Sequence, residues 1–189
     1  MLESELICIF SLETELFPKP GKCSSGGLNP VIRIFNIKER PNTLTTLASW
    51  NHDYWRERTP MVGLKDWSDF YQNCIKNDER TIPFTLVAFD QETLVGSVTI
   101  VDVDDIRDFP SYTPWIAGVI IQEAYRGMRI GRKLMEAALS EAKQMGFKEI
   151  YLWTDASVEW YRQQGWGEIH RLQLGPIEAV VMMKSISDD

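Results

Sequence analysis

The chain has 189 residues, a formal net charge of −7, and 44% hydrophobic, 11% aromatic and 25% charged residues, which is the length and balance of one compact domain with its own core. These proportions exclude disordered, collagenous and coiled-coil classes; no run approaches the roughly 18 apolar residues of a membrane span, and the acidic balance argues against a broad nucleic-acid footprint. Cys8, Cys23 and Cys74 are widely spaced, without a CxxC pair and with only His52 and His170 to join them, so neither a disulfide framework nor a zinc site is indicated, and Glu3 and Glu5 stand where a secretory signal carries positive charge, which reads as cytoplasmic.

Residues 1–30 read as an N-terminal extension, because PKPGKCSSGGLNP is rich in Pro, Gly and Ser and poor in apolar residues. A mobile lead-in is expected there, with Leu6–Phe10 forming a short strand only if the domain ties it down. Residues 31–189 carry the regular patterns of a domain. VIRIFNI alternates like a half-buried strand, and Pro41 and Asn42 open TLTTLASWNHDYWRER with helical apolar spacing. GLKDWSDFYQNCIKND places Leu64, Trp67, Phe70, Tyr71 and Cys74 or Ile75 on one face of a second helix. PFTLVAF and TLVGSVTIVDV, separated by Asp90, Gln91 and Glu92, predict an antiparallel hairpin. WIAGVII is the near-continuous apolar run of a central strand. A helix over 130–145 lines up Ile130, Leu134, Ala138 and Met145 and stops at Gly146. IYLWT predicts a buried strand, SVEWYRQQGW a short helix closing at Gly165, and EIHRLQL with IEAVVMMKS a terminal hairpin across Gly175 and Pro176. The order βααβββαβαββ predicts an α/β (α+β) fold, a mixed and mostly antiparallel sheet flanked by helices.

One segment carries chemistry. In QEAYRGMRIGRK, Gly127 and Gly131 flank a turn while Arg126, Arg129, Arg132 and Lys133 gather four positive charges with no acid between them. A helix start favours anions through its free N–H groups and its dipole, and glycines let the backbone approach phosphate oxygens. The same residues also fit a solvated basic helix start whose glycines serve only the turn. Neither GxxxxGK[ST] nor GxGxxG is present, so a phosphate ligand here is held by neither of those cradles.

The run GVIIQEAYRGMRIGRKLM resembles the coenzyme-A-binding motif of the GCN5-related N-acetyltransferases, Q/R-x-x-G-x-G/A after a central strand. Arg126 and Gly131 match its ends, and Arg129 stands where the first motif glycine falls. LWTDASVEWYRQQGW is similar to the family's strand, short helix and FYxxxGF/W signature, with Tyr161, Gly165 and Trp166 at matching positions. The two motifs occur in the family's order, and the element order fits it from Val31 to the C-terminus.

The resemblance implies an N-acetyltransferase that moves acetyl from acetyl-CoA to an amine by direct attack in a ternary complex. It implies that the backbone of Val119, Ile120 and Ile121 holds the pantetheine arm like another strand. The turn of Arg126, Gly127, Met128, Arg129, Ile130, Gly131 and Arg132 would then hold the pyrophosphate. Tyr161 would be the general acid for the departing thiolate. The central strand offers no carboxylate for a base, so Asp102, Asp104 and Asp105 become candidates, with Asp105 named as base or amine-binding group and Glu123 weaker. Asp102, Asp104 and Asp105 fit a solvated acidic loop better than a site, because charged loop residues usually serve solubility alone. Trp50, Tyr54 and Trp55 on the first helix fit core packing or an acceptor wall. The acceptor is a small-molecule or peptide amine such as a polyamine, an aminoglycoside or a peptide α-amine. The other class that fits is a non-catalytic coenzyme-A-binding or sensory module on the same fold. No metal, nucleic acid or membrane is expected, and the terminal hairpin's edge leaves monomer and homodimer both open.

Overall fold

The computed structural model describes residues 30–56, 61–78, 80–104, 106, 108–175 and 177–187. Expectations for 1–29, within the N-terminal extension, and for Asp105 lie outside the described residues. The alternation after Val31 builds β1 (Ile32–Asn36). Two 3-10 turns, Ile37–Glu39 and Pro41–Thr43, lead into α1 (Leu44–Trp55). In the first turn Asn36 accepts from Lys38 N–H and Glu39 accepts from Asn36 N–H, so the exposed donors of a helix start are met locally. Helix α2 (Leu64–Lys76) opens on Gly63, whose N–H donates to Asp66 Oδ2 at 2.7 Å.

Strands β2 (Phe84–Asp90) and β3 (Thr93–Val101) form the expected hairpin across Gln91 and Glu92, with Gln91 at φ +52. They are followed by β4 (Trp115–Ile121), α3 (Ile130–Gln144), β5 (Glu149–Thr154), α4 (Val158–Arg162), β6 (Gly167–Leu174) and β7 (Ile177–Ser185). The seven strands lie in the order β1-β2-β3-β4-β5-β7-β6, with β4 and β5 parallel and every other pair antiparallel. The terminal hairpin thus folds back so that its last strand pairs with β5, and β6 becomes the edge.

Strand periodicity divides the core in two. Along β5, Ile150 and Leu152 join one cluster with Leu134, Ala138 and Tyr161 under α3, whereas Tyr151 and Trp153 join the other with Leu47, Trp67 and Phe70 under α1 and α2. Trp67, Phe70, Tyr71 and Cys74 are buried on α2 as expected, but Leu64 is a correction: it is 47% exposed. It opens the helix beside the exposed Met61, one turn before the stripe reaches the sheet. Helix α3 buries Ile130, Leu134 and Ala138, to which Met135 and Ala142 add, and it stops at Gly146, φ +88. There Phe147 N–H donates to Ala142 O and Gly146 N–H to Lys143 O, the paired bonds of a Schellman ending.

Candidate active site

The site begins with a fault in the sheet. Ser97 of β3 pairs with Ile120 of β4, but Thr99 pairs with Ala117, so Val98 faces two residues, Gly118 and Val119. This is a β-bulge, and Gly118 at φ +55 supplies the left-handed backbone that it needs. A bulge bends its strand, and on the other side β4 registers with β5 only at Trp115 and Tyr151. Beyond that pair the two parallel strands diverge. Between them lies a narrow cleft walled by Ala117–Ile120 on β4, by Leu152 and Trp153 on β5, by Tyr161, and by Tyr54 and Trp55 from α1. Tyr54 and Ile120 also line a wider groove that continues to Trp50, Asp53, Gln122 and Arg126.

Of the expected pantetheine-holding residues, Val119 and Ile120 line the cleft and Ile120 and Ile121 the groove. Gln122 N–H donates to Val95 O of β3 at 2.9 Å. Successive residues of a pleated strand point their polar groups to opposite sides, so Ile121 turns its N–H and C=O towards the opening, where Arg126 Nε donates to its oxygen at 3.4 Å. The close approach of this strand end to β3 depends on Gly96. A Cβ there would stand 2.7 Å from Ile121 Cδ1 and 2.8 Å from Ile120 O.

The basic turn follows a short 3-10 piece, Glu123–Tyr125. Gly127, at φ +78, has open space where a Cβ would stand, and Arg129 itself adopts φ +61, ψ +18 as the residue before α3. The arginine in the place of a motif glycine therefore takes the glycine-like conformation and leaves its side chain exposed. Lys133 N–H makes the first bond of α3, to Arg129 O, and the amides of Ile130, Gly131 and Arg132 precede it without a helical carbonyl of their own. Met128 packs on the core below. Arg132 pairs with Glu136 at 2.8 Å, which tempers the charge that the sequence alone suggests.

Tyr161 is held by a second Schellman ending. Trp166 N–H donates to Tyr161 O and Gly165 N–H to Arg162 O, with Gly165 at φ +81 and the Trp166 ring edge-on to the Tyr161 ring at 5.8 Å. The Y-x-x-x-G-W spacing is thus the sequence image of one helix stop, with its usual apolar contact across the turn. The motif aims Tyr161 into the cleft wall, 2% exposed. Burial pushes its hydroxyl well above the usual tyrosine range, so the group stays a proton donor.

The first helix divides its aromatics. Trp55 is buried with the α1/α2 cluster, whereas Trp50 and Tyr54 face the groove together with Asp53, a carboxylate the sequence reading passed over. Its signal was there: Asp53 lies three residues after Trp50, hence on the same helical face. The acids after β3 part company. Asp102 is exposed and accepts from Thr113 Oγ1 at 2.7 Å, while Asp104 is only 2% exposed, which a solvated loop does not explain. Neither lines the cleft or the groove, and Glu123 lies on the groove. His170, given no role from sequence, stacks on Phe109 at 4.2 Å and bonds through Nε2 to the Tyr112 hydroxyl at 2.9 Å. Tyr112 stacks in turn on Tyr151 at 4.4 Å. Among the described residues no group of His, Cys, Asp and Glu is arranged to hold a metal, and no helix is long and apolar enough to cross a membrane.

Comparison with known proteins gives the same result. The model of the Acetyltransferase (GNAT) family matches residues 44–166. The N-alpha-acetyltransferase 30 of Schizosaccharomyces pombe is 27% identical over 135 residues, 68% of this chain and 88% of that protein. The aminoglycoside 6'-N-acetyltransferase from Enterococcus faecium superposes with a TM-score of 0.63 at 16% identity, covering 84% of this chain and 98% of that one. The structure of yncA from Salmonella typhimurium with its cofactor acetyl-CoA gives 0.61 at 19% identity, covering 86% and 96%. The chain belongs to the acetyltransferase (GNAT) family, and with it to the acetyl-CoA-dependent acetyltransferases.

Proposed function

We propose that residues 31–189 form an N-acetyltransferase domain that transfers acetyl from acetyl-CoA directly to an amine of a small molecule or peptide held in the groove beside α1. The observation that carries this reading is the opening of β4 from β5 into a cleft with Tyr161 in its wall, β4 leading on through Arg126 on the adjoining groove to a glycine-bearing helix start. The residues present fit the ligand. An extended arm with amide groups suits the side of Val119–Ile121 turned away from β3, and a pyrophosphate suits the amides of Gly127–Arg132. Acetyl-CoA supplies the activated acyl group.

The chain's own residues would do the rest. An amine is mostly protonated at neutral pH and must lose a proton before it attacks the acyl carbon. Asp53 and Glu123 on the groove draw a cation in, and Asp105 remains the candidate base. As the tetrahedral adduct collapses, the carbon–sulfur bond would break, Tyr161 would give its proton to the thiolate, and the nitrogen would shed its remaining extra proton, which restores the tyrosine hydroxyl. The S. pombe relative's name points to a peptide α-amine as the acceptor.

Calorimetry with acetyl-CoA against ADP tests the first half. We expect saturable binding that needs the pantetheine arm. Mass spectrometry of peptides with free N-termini, polyamines and aminoglycosides incubated with enzyme and acetyl-CoA tests the second, with added acetyl expected on a peptide α-amine. Equal binding of ADP overturns the cofactor placement, and tight binding without transfer to any amine leaves a coenzyme-A-binding module.

A further inference from the structure

A second, polar pocket adjoins the groove beside α1, shares Trp50 and Gln122 with it, and is lined by Arg40, Thr43, Thr46 and Thr93. Arg40 holds its guanidinium over the Phe35 ring at 4.1 Å, with the Phe89 ring at 5.6 Å, and Phe89 lines the same pocket. Arg33, Arg132, Arg162 and Arg171 each have a glutamate partner. Arg40 has none among the described residues. Its Nε is enclosed and meets no acceptor, while Nη1 and Nη2 bond no described residue and are reached from outside. Ring faces attract the charge, but the N–H donors of a guanidinium are met by oxygen acceptors. The pocket therefore holds a fixed cation with its donors to spare.

One helix face joins this pocket to the cleft. Thr43, Thr46, Trp50 and Asp53 with Tyr54 recur at three- and four-residue steps, so the same side of α1 runs past both depressions. Charge divides along it. Asp53 and Glu123 line the groove, which Tyr54 and Ile120 connect to the cleft. Arg40 stands at the other end, where the first turn of α1 carries no acid to offset the positive end of the helix dipole. Glu92, also on the pocket, is 88% exposed and faces Arg33 at 3.6 Å. Arg126, the cation on the groove, gives its Nε to Ile121 O. From Thr46 to Asp53 the helix rises about 10 Å, which an extended peptide covers in about three residues.

We propose that the Arg40 pocket is an anion subsite of the acceptor site. The acceptor it fits is an extended peptide whose α-amine enters the cleft past Asp53 and whose carboxylate or phosphate side chain, about three residues further on, meets the Arg40 guanidinium. The inference rests on the acetyltransferase reading and names the class of its acceptor. Arg40 touches no reacting atom; it selects and positions the peptide through a charge-assisted pair of N–H bonds.

The test follows acetyl transfer to peptides with a free N-terminus that carry one Glu, moved from the second residue to the sixth, each beside its Gln counterpart. We expect kcat/KM to favour Glu about tenfold when it stands at the third to fifth residue, through KM rather than kcat. Phosphoserine at the best position tells the two anions apart: a peptide better than the Glu one assigns the subsite to phosphate, and the reverse order to carboxylate. In Arg40→Gln the ratio of Glu to Gln peptide should fall to about one, and Arg40→Glu should prefer a Lys peptide to the Gln one. A wild-type ratio of one at those positions, or a preference that survives in Arg40→Gln, overturns the proposal. If the variants do not fold, phenylglyoxal labelling of wild type, mapped by mass spectrometry, reads the same contact. The Glu peptide should protect Arg40 and the Gln peptide should not, and equal labelling overturns the proposal. Wild type that acetylates no peptide, polyamine or aminoglycoside overturns the acetyltransferase reading together with this one. Transfer to non-peptide amines alone, or to Glu and Gln peptides alike, overturns only the Arg40 subsite.

Discussion

On the α3 side of the sheet the bulged end of β4 and the turn before the helix present mainly backbone, whereas on the α1/α2 side the cleft is bounded by the side chains of Tyr54, Trp55 and Trp153. The difference separates two kinds of recognition. A backbone cradle asks only that each position reach a given φ and leave room, which is why Arg129 at φ +61 can stand in a glycine's place. A wall of side chains changes with each substitution. The first face suits a ligand common to a whole family, and the second suits the acceptor peculiar to one member.

The sharpest way to break this division is Tyr161→Phe, which removes a proton donor and leaves the cradle whole. We expect kcat to fall by about 10²- to 10³-fold with the acetyl-CoA Kd unchanged; an unchanged single-turnover rate would remove Tyr161 from the mechanism. Burial raises its pKa well above the usual tyrosine range. The acid form therefore persists as pH rises, and the wild-type rate should show no loss from tyrosine ionisation up to pH 10.

Next in size is Gly96→Ala, which breaks the backbone side directly. The new Cβ would collide with Ile121 Cδ1 and Ile120 O and push the end of β4 away. A stability loss of about 1–3 kcal/mol in urea unfolding is expected, together with weaker acetyl-CoA binding. Equal affinity in the variant would show that this strand end does not hold the ligand.

Gly131→Val sharpens the comparison with less collateral change, because a Cβ there meets only Ile121 Cγ1, at 3.8 Å. The fold has room for the Cβ, so with urea unfolding unchanged a roughly tenfold rise in the acetyl-CoA Kd would report lost phosphate approach. An unaltered Kd would put the pyrophosphate elsewhere.

The smallest effect belongs far from the cleft. Glu168 on the edge strand β6 bonds Arg171 at 2.5 Å and Arg162 at 2.6 Å, and these partners, Arg171 first, lower its pKa below 4.5. A lowered folded-state pKa contributes stability that is present above the ordinary carboxylate value and lost as pH falls through the folded one. Glu168→Gln should lower Tm slightly at neutral pH, converge with wild type in acid and leave transfer untouched. The pair is exposed, which keeps the effect small.

How much of this was legible depends on how local the signal is. The Schellman endings at Gly146 and Gly165 are each written within six consecutive residues, so both helix stops follow from spacing, whereas the role expected of Tyr161 came from the family resemblance. The helix start at Ile130 is equally local. Leu64 shows the limit: its spacing matches the buried stripe of α2, yet it lies a turn beyond the sheet and stays half exposed. Trp50 and Trp55 share one helix and one residue type, and only the packing of α1 decided that the first faces the groove and the second the core. His170 had no partner in spacing because Phe109 and Tyr112 come from a distant loop.

By itself the sequence determined the order of strands and helices, the glycine-bearing turn before α3 and the tyrosine helix stop, because periodicity, caps and turns are properties of neighbouring residues. Tertiary structure decided where the sheet opens, since that depends on the β3–β4 bulge at Gly118 and Val119 and on β4 meeting β5 only at Trp115 and Tyr151. It also decided that, among the described residues, the Trp115 indole meets an acceptor and the Trp153 indole does not. Whether a donor is met is a property of everything packed around it, and the groups around Trp153 come from α1, β4 and α4, brought together only when the sheet closes.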